Sequence, residues 1–286
     1  MSIGRLAGFE PDATEIVELA SCRRAMRQAL RSGRPTNITA LAQVVLRRMP
    51  RHLDTYQWLS RAAWQLKQWD EGEEWGRRLL QADPNNALAW RAVARGVEER
   101  GQRAKSHAIW QRAFEVAPFD PDVRSGLSRT SLEPNAELVL NQACLATIYR
   151  YGFRWRQAAT EYRALIEADP RRIDFLVGLM VALWRTGSRD DAYQIALYLV
   201  KQHRHLIMAW VVIAAAGDED DRALAHDPIL SMDPDGEFAR QWLRLDSAPL
   251  SERSVERLLA KGPAPLDVSA REARLIERDR LEISHR

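Results

Sequence analysis

The chain has 286 residues, of which 46% are hydrophobic and 28% are charged, and its formal net charge is +3. This length supports a substantial core and exceeds that of a small module held together by disulfides or a metal. The low net charge is not typical of a dedicated nucleic-acid-binding protein, and two cysteines cannot form a disulfide framework.

The N-terminal segment, residues 1–18, is predicted to lead into the first helix. It contains no apolar stretch of signal-peptide length. Asp12 and Glu15 have the spacing of a capping box, which predicts a helix that runs from there to about Ser32. The longest apolar runs, 175–184 and 206–216, are about half of the ~20 residues that span a bilayer. We therefore expect a cytoplasmic protein without membrane insertion.

An internal repeat organises most of the chain. Three prolines and three later aliphatic residues recur at 34-residue intervals: Pro50, Pro84 and Pro118, then Leu145, Leu179 and Ile213. The step from Pro118 to Pro170 is 52 residues, which is 18 more than one repeat. Residues 121–138 are therefore predicted to be an insert, with a short helix between loops, that separates two arrays.

Each repeat is predicted to form two helices. Between residues 86 and 120, apolar residues at helical spacing predict a first helix, which Gly101 ends. A second helix is predicted from Ala104 to Val116, before Pro118. This unit resembles a tetratricopeptide repeat through Trp90, Val93, Ala94, Val97, Gly101, Trp110, Ala113 and Pro118. A later unit is similar through Leu145, Ala146, Tyr149, Ala158, Tyr162, Leu165 and Pro170.

The resemblance implies an all-α fold: a right-handed α-solenoid of antiparallel helix pairs, with five or six repeats and one interrupting insert. We expect a lead-in over 1–18, three repeats over 19–120, the insert over 121–138, and three more repeats, the last degenerate, over 139–240. The C-terminal tail, 241–286, is predicted to be helical, with one helix over 251–261. It is either a loosely attached cap or a partner-binding segment.

Motifs of catalysis and metal binding are missing from the sequence. It has no glycine-rich phosphate loop, HExxH, GxSxG or CxxC motif. His203 and His205 point to different sides of a helix, and the acidic run 218–221 lacks the glycine and distal glutamate of a calcium loop. Cys22 and Cys144 stand among apolar residues, which favours buried, inert thiols. We therefore expect a non-enzymatic protein without catalytic residues, metal or cofactor.

The resemblance also implies which first-helix side chains face the concave surface of the solenoid. The partner-binding candidates are Arg23, Arg27, Arg31, Arg61, Trp64, Arg91, Arg95, Arg150, Tyr151, Trp184 and Arg185. The same surface includes Leu30, Gln57, Gln65, Glu98, Glu99, Thr147, Val177 and Val181. The four-residue spacing of Arg23, Arg27 and Arg31 independently places them on one helix face. Arginine binds carboxylates bidentately and aromatic rings provide anchor area. Such a groove suits an acidic segment of another protein, extended or helical.

The distribution of charge leaves several interpretations open. Residues 19–52 contain eight arginines and no acidic residue, whereas 207–250 contain three arginines and nine acidic residues. The leading hypothesis is a protein-interaction scaffold or assembly factor. The alternative is a nucleic-acid-associated regulatory repeat protein that binds phosphates through the same arginines, which the acidic segment disfavours. Self-association, basic end to acidic end, is a third hypothesis, and a merely solvated arginine face is a fourth.

Overall fold

The computed structural model describes residues 14–131, 133, 137–243 and 265–281. Over these ranges the chain forms an all-α solenoid of consecutive helix pairs with a single two-stranded sheet, and the fold predicted from the repeat is confirmed. Within the same ranges no helix is long and apolar enough to cross a membrane.

The first array consists of three helix pairs, α1 (Leu19–Arg31) with α2 (Pro35–Arg48), α3 (Leu53–Leu66) with α4 (Trp69–Ala82), and α5 (Ala87–Glu99) with α6 (Arg103–Val116). The insert contains a short helix, α7 (Pro121–Thr130), as predicted, and it packs on α6 and α5. Asp120 begins α7 by accepting the backbone N–H groups of Asp122 and Val123, which would otherwise have no partner in the first turn.

The second array contains α8 (Gln142–Tyr151) with α9 (Trp155–Ala168), α10 (Ile173–Thr186) with α11 (Arg189–Gln202), and α12 (Ile207–Ala216) with α13 (Glu219–Met232), followed by α14 (Glu237–Leu243). Helices α9 and α10 can approach closely because Gly178 of α10 has no side chain. A Cβ at Gly178 would lie 2.4 Å from the ring of Tyr162. The buried Tyr162 can therefore pass directly beneath α10.

The first strand and the C-terminal segment form a joint cap on the first repeat. β1 (Thr14–Glu18) pairs antiparallel with β2 (Pro265–Ser269), and α15 (Ala270–Leu281) packs on α1 and α2. Leu266, Val268 and Ile276 are buried in this contact. Glu272 of α15 accepts the Ser269 N–H at 2.8 Å and pairs with Arg47 and Arg48.

This cap corrects one expectation from the sequence. The helix predicted to begin at the Asp12–Glu15 capping box does not include residues 14–18, which form β1, and α1 begins only at Leu19. The backbone of this segment is extended because its hydrogen-bonding groups pair with β2, a partner far away in the sequence. Asp12 and the helix predicted over 251–261 lie outside the described residues.

The last repeat returns to the first and closes the solenoid; we call this contact the closure. Arg23 on α1 bonds the Asp54 carboxylate of α3 at 2.7 Å, and it also bonds Asp235, just before α14. The Arg51 side chain contacts the ring of His205, and α14 packs on α3. Residues 52–60, which include the start of α3, are all buried between these elements and the neighbouring helices α2 and α4.

Candidate binding site

Three of the predicted groove arginines are engaged with carboxylates of the same chain. Arg23 is 11% exposed and pairs with Asp54, Asp235 and Glu237. Burial alone would lower the pKa of Arg23, but Asp54 and Asp235 raise it well above its ordinary value, so the guanidinium stays charged.

The other two arginines of this kind lie on α5. The Arg91 guanidinium is 2.8 Å from the Asp122 carboxylate, and that of Arg95 is 2.9 Å from Glu98 and also contacts Glu99. All these pairs join residues within one chain. The Arg91–Asp122 pair joins α5 to α7, whereas the Arg95 pairs lie within α5, and all of them leave those guanidinium groups less available to a partner.

A second group of predicted residues takes part in arginine–aromatic packing. Arg91 lies over the ring of Trp64, with its Cζ atom 4.4 Å from the ring centroid, and Arg61 lies 4.9 Å from that of Trp58. Trp184 is only 6% exposed and packs in the core beneath Arg189. Of the remaining candidates, Arg27 and Arg31 are exposed.

The last three predicted residues, Arg150, Tyr151 and Arg185, meet around one cavity of about 310 Å³, which we call the Arg150 pocket. Gln57 and Val181 of the predicted surface also line it. The walls come from α3, the α4–α5 loop with the start of α5, the end of α8, the turn after it, the start of α9, and α10. The lining residues are Gln57, Asp83, Asn85, Asn86, Ala87, Arg150, Tyr151, Phe153, Trp155, Val181 and Arg185. The two arrays therefore contribute to one site.

Both arginines of the Arg150 pocket are held against aromatic rings. The Cζ atom of Arg150 is 4.8 Å from the centroid of the Tyr151 ring, and that of Arg185 is 5.2 Å from the Trp155 ring. Burial would lower the pKa of Arg150, but Tyr162, Tyr151 and Asp83 raise it above its ordinary value. The buried guanidinium therefore stays positively charged at the base of the pocket.

The acidic side chain of the pocket, Asp83, stabilises its own loop as well as the charge of Arg150. Its carboxylate accepts the backbone N–H of Asn85 at 3.0 Å and the side-chain amide of Asn86 at 3.3 Å. Asn85 in turn donates to the backbone carbonyl of Asp174 on α10 at 2.9 Å, which joins the two arrays at the pocket wall. Two arginines against one aspartate give the pocket a net positive charge.

Phe153 and Trp155 are pocket residues that the sequence reasoning missed. Phe153 is 54% exposed and forms an edge-to-face contact with Trp155, with ring centroids 5.9 Å apart. The concave surface was assigned from first-helix positions, whereas Phe153 lies in the turn after α8 and Trp155 begins α9. The repeat period could have identified Phe153 as unusual, because glycine occupies the equivalent positions in two other repeats. Gly187 lies 34 residues after Phe153, and Gly101 lies 52 residues before it, which is one repeat plus the 18-residue insert.

The two cysteines and the acidic run considered in the sequence analysis stabilise the fold. Cys22 and Cys144 are buried as predicted, and burial raises the pKa of the Cys22 thiol to about 11. The acidic run begins α13, where Asp218 and Asp221 form a capping box. Over the described ranges, no cluster of three or more His, Cys, Asp or Glu side chains has a metal-binding arrangement.

Consecutive antiparallel helix pairs around a charged, aromatic-lined cavity define a helical-repeat protein of the kind that forms interaction scaffolds. Residues 29–96 match the family model described as tetratricopeptide repeat, a region that runs from the end of α1 into α5. Over these residues the chain is similar to tetratricopeptide repeats, and helix pairs of the same period continue beyond the matched region. Such repeats generally act as non-catalytic scaffolds that bind other proteins.

One solved structure, that of Naa15/Naa10 bound to HypK-THB, is similar over 84% of this chain and 33% of that chain, with 14% sequence identity and a TM-score of 0.29. The present chain thus spans about a third of the length of that one. No curated protein matches the sequence.

Proposed function

We propose that this protein is a non-enzymatic scaffold or assembly factor of the cytoplasm that binds an acidic segment of another protein through its arginine- and aromatic-rich concave side. The observation that carries the proposal is the Arg150 pocket, where two positively charged side chains and three aromatic rings surround one cavity. Guanidinium groups recognise carboxylates, and half-exposed aromatic rings are the side chains that most often anchor a partner.

The sequence-predicted residues contribute unequally to this proposal. Arg150, Tyr151 and Arg185 line the pocket, and the exposed Arg27 and Arg31 add positive charge that attracts an acidic partner at longer range. Arg23, Arg91 and Arg95 already pair with carboxylates of the chain, so we assign them to the support of the concave side. The packed Arg61, Trp64 and Trp184 support it as well.

The dimensions of the pocket favour an extended segment over a helix. An α-helix with its side chains is about 10 Å wide, so even two turns occupy more than the 310 Å³ available. One or two side chains of an extended peptide fit this volume. The rest of the segment would lie along the surface outside the pocket.

Fluorescence anisotropy with labelled oligoglutamate, oligolysine and single-stranded DNA tests the proposal. We expect oligoglutamate to bind, with an affinity that falls as salt is added, and the other two probes not to bind. The combined variant Arg27→Glu, Arg185→Glu should weaken binding about tenfold. The matched control Arg124→Glu, Arg163→Glu, on the exposed surfaces of α7 and α9, should bind nearly as the wild type does.

Results that differ from these expectations would favour one of the alternatives or refute the proposal. Binding of DNA but not oligoglutamate would favour the nucleic-acid hypothesis. Equal losses in both charge-reversal variants would mean that the arginines act only as a solvated face. Failure of every probe to bind would refute the scaffold proposal in this form. Self-association is the weakest alternative, because Arg23 pairs with Asp235 and Glu237 within one chain.

A further inference from the structure

Phe153 occupies a backbone position that glycine fills in most other repeats. Four turns that follow first helices share one geometry, in which a residue with positive φ is followed by an N–H that donates to the carbonyl five residues earlier. These bonds join Arg34 to Ala29, Gln68 to Ala63, Arg154 to Tyr149 and Ser188 to Leu183. The positive-φ residues are Gly33 (+66°), Lys67 (+56°), Phe153 (+57°) and Gly187 (+87°).

A bulky side chain at this position is sterically disfavoured. In the left-handed region the Cβ atom of an L-residue crowds its own backbone, which is why glycine is the usual residue there. At Gly33 and Gly187, an added Cβ would meet no atom within 4 Å, so a side chain placed there points into open space. Phe153 therefore combines backbone strain with a ring that is half exposed, and burial in the core does not explain its presence.

The ring of Phe153 lines the Arg150 pocket and is also exposed to solvent. Tyr151 stands two residues before it and is 58% exposed, and Trp155 stands two residues after it. Three aromatic side chains within five residues thus line the pocket, and Arg150 and Arg185 lie against two of them. Such a surface can contact an apolar side chain of a partner through the half-exposed rings and a carboxylate through the guanidinium groups.

We propose that Tyr151, Phe153 and Trp155 form an anchor site for one aromatic or large aliphatic side chain of the partner segment, adjacent to a carboxylate that binds Arg150 or Arg185. This inference rests on the proposed function and specifies its ligand: acidic residues alone supply the charge, and the apolar side chain supplies most of the specific affinity. A volume of 310 Å³ accommodates one such side chain and the adjoining carboxylate.

A pair of labelled peptides tests the anchor site directly. Both are glutamate-rich; one has a single central phenylalanine and the other an alanine at the same place. We expect the wild-type protein to bind the phenylalanine peptide about 30-fold more tightly, as for a hot-spot side chain. In Phe153→Gly this ratio should fall by about tenfold, which measures the coupling between the two rings.

The matched control is Lys67→Gly, which makes the same backbone change in the equivalent turn of the second repeat. It should keep the 30-fold ratio. Neither glycine variant should have a lower urea midpoint than the wild type, because glycine relieves the strained conformation. A loss of binding in Phe153→Gly therefore cannot be attributed to unfolding.

Two results would overturn the anchor site: equal binding of the two peptides by the wild type, or an unchanged ratio in Phe153→Gly. In either case, retained binding of oligoglutamate would leave the scaffold proposal in place. If oligoglutamate and both peptides all fail to bind at about 1 mM, the scaffold proposal fails together with the anchor site.

Discussion

Arginine has different surroundings at the closure and in the Arg150 pocket. At the closure, Arg23 is directed at carboxylates from α3 and from the residues around the start of α14, and little of it remains exposed. In the pocket, Arg150 and Arg185 lie against aromatic rings, and the cavity beside them is also lined by the exposed side chains of Tyr151 and Phe153. The first arrangement stabilises the solenoid, whereas the second leaves room for a partner.

The difference shows that helical register alone does not determine the role of a concave arginine. Arg23 and Arg150 were both assigned to the concave side from their positions in first helices. What separates them is the segment that the rest of the chain brings opposite. Asp235 and Glu237 come back onto the first repeat, whereas the residues around Arg150 come from α3, the α4–α5 loop, α9 and α10 and line a cavity.

The largest effect that this comparison predicts is at Arg23. Arg23→Ala should lower the free energy of unfolding by about 3–5 kcal/mol, because it leaves the buried Asp54 without the arginine that compensates its charge and Asp235 without its closest cation. Urea denaturation measures the change. Arg27→Ala, one turn further along the exposed face of α1, should change it by less than about 0.5 kcal/mol. Similar effects at the two positions would show that the closure is not held by this ion pair.

A smaller effect is expected at the C-terminal cap. Burial would raise the pKa of Glu272, but the Ser269 N–H, Arg48 and Arg47 lower it below its ordinary value of 4.5. Its contribution to stability is therefore fully present above pH 4.5 and is lost as the pH falls through the lowered pKa. Glu272→Gln should cost about 1 kcal/mol at neutral pH.

The pH dependence supplies the check on Glu272. Urea denaturation of the wild type and Glu272→Gln should give a difference in unfolding free energy that shrinks as the pH is lowered to about 3. The hydrogen exchange of α15 should become faster in the variant at neutral pH. A difference that stays constant with pH would show that the charge of Glu272 does not hold the cap.

The smallest effect on stability is expected in the pocket. Tyr151→Ala should change the free energy of unfolding by less than about 0.5 kcal/mol, because more than half of the side chain is exposed. The same variant should bind the phenylalanine-containing acidic peptide several-fold more weakly. Tyr198→Ala removes a tyrosine of similar exposure on α11 and should leave both quantities unchanged. If Tyr151→Ala destabilised the protein as Arg23→Ala does, the two regions would not differ in role.

The sequence predicted the features that depend on local period. The 34-residue interval predicted helix pairs, and the resemblance placed Gln57, Arg150, Tyr151, Val181 and Arg185 on one surface, where all five line the same cavity. These features need only a helical register that repeats along the chain.

The features that were not predicted depend on residues far apart in sequence. Arg23 and Asp235 are separated by 212 positions, and β1 pairs with a strand near the other end of the chain. No local pattern encodes such contacts, so the Asp12–Glu15 spacing predicted a helix where tertiary pairing produces a strand. Phe153 is a different case, because comparing its position with Gly101 and Gly187 would have revealed the departure from glycine.

The pairing of β1 with β2 affects how the protein unfolds. In an open repeat array each unit contacts only its neighbours, so the terminal units can melt first and the array can unfold stepwise. Here the first repeat is covered by β2 and α15, and α14 packs on α3. Contacts of this kind protect the described terminal units from melting first. We therefore expect this solenoid to unfold more nearly all-or-none than an open array of the same repeats, which coincident urea transitions by different spectroscopic probes would show.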